Sequence, residues 1–184
     1  MSVGRITRFA LAATIATLGL VGVQLTPASA APAAPPAAPA AVRVVTYNAD
    51  AAGVWRSNVV EAVQIWNTTV QNVRLVEGRP AAMTIYASNG WPYAVPTSLG
   101  RGSIYLGEEA VRLGHGRTRI TAHEIGHILG LPDRRTGLCS DLMSGSSAPA
   151  ACRNATPSPR EAAAVEANFA NGFAPAKDLQ PSIW

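Results

Sequence analysis

The run His123-Glu124-Ile125-Gly126-His127-Ile128-Leu129-Gly130-Leu131-Pro132-Asp133 restricts this chain more than any other stretch. On a helix, residues four apart share a face about one turn apart. His123 and His127 stand at that spacing, so both imidazoles can reach one ion, with Zn–N distances of roughly 2.0–2.1 Å. Glu124 is rotated away by one residue and can sit beside such an ion without ligating it. Gly130 accepts the left-handed backbone that ends a helix, and Pro132 opposes its resumption. Asp133, six residues past His127, can then swing under the ion as an oxygen ligand. A catalytic zinc needs three protein ligands and an open position, and Glu124 supplies a general base. The pattern points to metal-assisted hydrolysis. His115, in a Gly-His-Gly loop, is the one histidine outside the motif. It reads as a solvated loop residue, with replacement of Asp133 as its alternative role.

HExxHxxGxxH followed by a methionine turn marks the metzincins. The form with Asp in the last position resembles the snapalysin family, small secreted neutral proteases of Streptomyces-type bacteria. The resemblance runs from about Val42 to the C-terminus. It implies a zinc endopeptidase of α+β, metzincin-like fold: a twisted mixed sheet of about four to five strands, three helices, and a zinc site in a cleft. Carried over by position, the zinc ligands are His123, His127 and Asp133, and the general base is Glu124. Met143, within Cys139–Gly145, is then the turn methionine, a hydrophobic floor beneath the ligands. The family also suggests an aromatic residue on the primed side of the cut (P1').

Two positions depart from that pattern. Snapalysin-type proteins place a Tyr two residues beyond the ligand Asp, where this chain has Arg135. Either Arg135 stabilises the oxyanion as a fixed cation, or that donor comes from elsewhere and Arg134 and Arg135 are a solvated pair. Members of the family also hold calcium just before the zinc helix through an Asp and a Thr. Thr118 matches the Thr, whereas Gly116 stands where the Asp would be, which leaves at most a weak, carbonyl-rich calcium site.

The first thirty residues read as a secretory signal: Arg5 and Arg8, an apolar run from Phe9 to Val23, then Ala28-Ser29-Ala30 for cleavage. That run falls short of the roughly 20 residues a membrane span needs, so a secreted, extracellular protein without stable membrane association is expected. Residues 31–41 are almost all Ala and Pro, a tether or short propeptide. They hold no Cys, His, Asp or Glu to cap a metal. Residues 42–184 make one catalytic domain by length. The formal charge of +4 falls to +2 once Arg5 and Arg8 are removed. The remaining basic residues are dispersed, which argues against nucleic acid as a partner. Extended polypeptides are the expected substrates, and a monomer the expected state. In an exported protein the two cysteines, Cys139 and Cys152, read as a disulfide. Closing a loop of that length stabilises by about 3 kcal/mol and encloses Met143.

Val42–Tyr47 reads as the first strand, and Val59, Val63, Trp66, Val70 and Val73 as the buried stripe of a helix. Arg74–Val76 and Met83–Ala87 read as strands, an order that favours a partly parallel sheet. Ser88–Gly102, rich in Gly, Pro and aromatics, reads as a loop. Ser103–Leu106 reads as the edge strand that pairs with extended substrate in the resembling family. The zinc helix is expected from Thr118 to Gly130, and Ser158-Pro159-Arg160-Glu161 is a capping box opening a brace helix that Gly172 ends. Two rival functions use the same residues: a zinc amidase of cell-wall peptides, and a secreted binding protein without turnover. Glu124 opposes the second, since a non-catalytic zinc needs no base.

Overall fold

The computed structural model of this chain describes residues 41–170 and 182–184. The signal, the tether through residue 40 and the helix stop at Gly172 lie outside those residues. In β1 (Arg43–Asn48) Val45 and Tyr47 are buried while Val44 faces outward, the alternation of a strand with one covered face. Helix α1 (Arg56–Thr69) buries Val59, Val63 and Trp66 as the stripe requires. It stops before the stripe does. Thr68 and Thr69 turn their hydroxyls back onto Ile65 O, competing for the last helical carbonyls. Val70 is extended, and Val73 opens β2 (Val73–Glu77). The Asn72 N–H is taken at 2.8 Å by Glu166, far along the chain.

Next come β3 (Met83–Ser88), β4 (Tyr93–Ser98) and β5 (Arg101–Gly107), then the single-turn α2 (Glu109–Arg112). Helices α3 (Arg117–Ile128) and α4 (Pro159–Ala170) follow, and β6 (Ser182–Ile183) completes the sheet. The sheet order is β2-β1-β3-β5-β4-β6. β1 pairs in parallel with β2 and β3, and β3 with β5, whereas β4 runs antiparallel to both β5 and β6. The fold is thus α+β with a mixed sheet. Tyr86, Tyr105 and Tyr93 stack across β3, β5 and β4 at 5.2 and 4.6 Å, while their neighbours Ile85, Ile104 and Ala94 are buried.

Two expectations about the sheet are corrected. The stretch Ser88–Gly102 is not all loop, because it contains β4, hidden in sequence by Gly90, Pro92 and Pro96. Proline is tolerated at strand edges and bulges, and the β4–β5 register slips between Pro96 and Ser98. Ser103–Leu106 is therefore an inner strand, with β3 on one side and β4 on the other. The described residues hold six strands and four α-helices, against four to five and three expected. The surplus is the two-residue β6 and the four-residue α2, both too short to show periodicity.

Helix α3 is the central column. Every residue from Arg119 to Ile128 is buried. The Trp66 indole of α1 donates to Ala122 O at 2.9 Å, fixing the two helices against each other. Arg119, also buried, donates to the carbonyls of Cys139, Asp141 and Asn154 and so ties the segment after α3 to its underside. The expected capping box is present: Glu161 accepts the Ser158 N–H at 2.7 Å, and Ser158 Oγ accepts the Glu161 N–H.

Candidate metal centre

His123 and His127 project from one face of α3 with their Nε2 atoms 3.0 Å apart. Each ring is locked by its other nitrogen. The His123 Nδ1–H donates to Leu142 O at 3.0 Å and the His127 Nδ1–H to Leu131 O at 2.8 Å. A carbonyl accepts only, so each Nδ1 carries the proton and each Nε2 presents a lone pair. Burial, then the neighbouring His123, pushes the His127 pKa down to about 3, keeping the imidazole in the neutral form that binds metals.

Gly130 brings the third group in. At φ +88° it takes the left-handed conformation expected at a helix end. The chain folds back so that the Leu131 N–H bonds to Gly126 O, and Asn168 of α4 donates to the carbonyls of Leu129 and Gly130. Asp133 Oδ1 then lies 3.3 Å from His123 Nε2 and 3.7 Å from His127 Nε2, with no hydrogen bond among the described residues. Tetrahedral bonds of about 2.0–2.1 Å set ligand atoms about 3.3 Å apart. Two lone pairs and a carboxylate oxygen converging at that spacing repel unless a cation sits among them. The residues fit a zinc ion.

Glu124 is fully buried, and neither carboxylate oxygen has a hydrogen-bond partner among the described residues. It offers an oxygen within 4.8 Å of the two imidazole nitrogens. Burial, with Asp133 adding to it, raises its pKa well above the ordinary carboxylate value. A carboxyl raised in this way holds a proton more readily than a free one, the property that a general base needs.

The floor of the site is built from the segment inside the disulfide loop. Cys139 and Cys152 are bonded, with Cα atoms 5.7 Å apart, and enclose Met143. Met143 is buried under Gly126, where a Cβ would lie 2.8 Å from its sulfur. Glu161 was legible only as a cap. It also accepts the N–H groups of Leu142 and Met143 at 3.0 and 2.7 Å, and Leu142 carries the carbonyl that locks His123.

The remaining candidates lie elsewhere. Arg135 is on Asp133: its Nη2 meets Asp133 Oδ2 at 3.0 Å and its Nη1 meets Ser146 Oγ at 3.2 Å. His115 is buried, not solvated, because Trp184 packs against its ring at 5.6 Å. It does not join the His123–His127 cluster. Thr118 donates to Glu61 at 2.7 Å and accepts from Asn58 at 2.9 Å, in a pocket that Arg117 and Arg153 also line.

The chain is similar to known proteins. The model of a family described as Streptomyces extracellular neutral proteinase (M7) matches residues 41–172. An extracellular small neutral protease of Streptomyces coelicolor is 45% identical over 134 residues, covering 72% of this chain and 62% of the relative. One from Streptomyces caespitosus is 41% identical over 130 residues, covering 70% of this chain and 98% of the relative. This chain thus spans about three fifths of the length of the Streptomyces coelicolor protein. Among solved structures, a hatching zinc-protease of Oryzias latipes, high choriolytic enzyme 1, aligns at 18% identity with a TM-score of 0.40, over 52% of this chain and 47% of that one.

Proposed function

From the premise that this chain belongs to the Streptomyces extracellular neutral proteinase (M7) family, we propose that it is a secreted zinc endopeptidase whose catalytic domain begins near Val42. His123, His127 and Asp133 hold the zinc, and Glu124 is the general base. One observation carries the reading: two deprotonated Nε2 atoms and an orphaned carboxylate oxygen converge within 3.0–3.7 Å. Zinc bound there supplies Lewis acidity, polarising the scissile carbonyl and acidifying water. Glu124 takes the proton from the attacking water and delivers it to the leaving amine. The extracellular names of the relatives support export, and no helix among the described residues is long and apolar enough to cross a membrane. For calcium, Asn58, Glu61 and Thr118 offer, among the described residues, the only side-chain oxygens of a pocket that Arg117, Arg119 and Arg153 also line. Calcium takes roughly six to eight, so the reading includes zinc and no resident calcium.

The test is direct. The mature protein is expected to carry one zinc and to cleave casein, with cleavage lost on chelation and restored by zinc. Glu124→Gln is expected to keep the zinc and lose at least about 100-fold in kcat/KM, the lower range for a general base. A Gln variant with near-normal turnover removes Glu124 from the chemistry, and a metal-free protein that still cleaves casein removes the whole reading.

A further inference from the structure

We propose that the segment Ser182–Trp184 is an intramolecular occupant of the edge on which this protein docks extended peptides, so that a substrate must displace it. The proposal rests on the peptidase reading. Strand β6 lies antiparallel on β4, with Tyr93 opposite Ile183 and Ala94 opposite Ser182, and the Trp184 N–H donates to Pro92 O at 3.1 Å. Sheet edges bind extended peptides through backbone hydrogen bonds, largely regardless of sequence. The opposite edge, β2, is separated from β4 by β1, β3 and β5. At the β4 edge the Trp184 indole is buried 4.6 Å from the His123 ring, at 74° to it. The chain therefore lays its own residues along the edge beside the proposed centre and sets a large aromatic against one of the proposed ligands.

The hold is incomplete. β6 covers only Pro92 to Ala94, and β4 continues to Ser98 with no further partner on that side among the described residues. Among the described residues the buried Trp184 Nε1–H has no acceptor, whereas the indole of Trp66 donates to Ala122 O. An unmet buried donor penalises the docked state. Trp66 is seated as a permanent core residue, and Trp184 as a displaceable one.

Two full-length, zinc-loaded variants test this, each in a Glu124→Gln background so that peptide is not consumed. Trp184→Ala removes the indole. Ser182→Pro leaves the indole and removes a ladder N–H, because bonded positions alternate from Trp184 to Ser182. Calorimetry with an extended peptide is expected to give a Kd lower by about tenfold in both, as for a binding-competent fraction near one tenth. Added tetrapeptide Pro181–Trp184 is expected to reverse the gain by competition. Unchanged or weaker binding in both variants overturns the proposal. So does unfolding of both, which would make the segment part of the core; if only Trp184→Ala unfolds, Ser182→Pro decides. Casein cleavage is scored separately, in variants with Glu124 intact. Tighter binding with no cleavage in any of them sinks the peptidase reading and leaves only the displacement of the segment by peptide.

Discussion

The two oxygens of Asp133 have separate partners, and this division gives Arg135 its place. Oδ1 faces the imidazoles and Oδ2 takes the guanidinium at 3.0 Å. In the proposed centre Arg135 is a positioning residue that orients a ligand, in the way outer partners commonly steer metal-binding carboxylates. Arg135→Ala is expected to weaken zinc binding roughly 10–100-fold, with kcat at saturating zinc nearly unchanged. Competition against a chromogenic chelator, beside turnover, separates this from oxyanion stabilisation, which predicts the reverse pattern. Sequence showed where Asp133 could go, because Gly130 and Pro132 fix the turn before it. It marked Arg135 for the oxyanion or for solvent and not for the Asp133 carboxylate, since two side chains two residues apart outside regular structure have no fixed relation.

Helices were readable where period and caps agree. Helix α3, the α1 stripe and the Ser158–Glu161 capping box each rest on spacing within one element. The strand β4 broke that logic, since two prolines and a glycine in and beside it conceal a period of two. Missing it shifted the expected edge inward by one strand. Contacts between elements were equally hidden, such as Arg119 reaching three carbonyls of the following segment. Gly126 shows what such contact demands. Alanine there would gain about 1 kcal/mol in helix propensity, yet its Cβ would come within 2.8 Å of the Met143 sulfur and 3.3 Å of Trp66. Overpacking costs about 1–3 kcal/mol and is expected to win. Thermal unfolding of Gly126→Ala should show a lower Tm; a raised Tm would mean that Met143 yields freely.

At the scale of the molecule, the proposed ion joins the end of α3 to the folded-back chain at Asp133. A ligand bound only by the native state stabilises by about 2.7 kcal/mol at a hundred times its Kd. Zinc is therefore expected to raise Tm by several degrees, with the gain growing with concentration and abolished in His123→Ala. A zinc-independent Tm would mean that no such tie exists. Charge and size carry no directional information and supported only the expectation of one domain without a nucleic-acid partner. Glu161 has a wider consequence. The same carboxylate that locks the first turn of the last helix also receives two amides of the floor beneath the imidazoles. Fraying of α4 and loosening of the floor are thus expected to go together, so that the Leu142 and Met143 amides exchange with solvent at the pace of an element with no part in the chemistry.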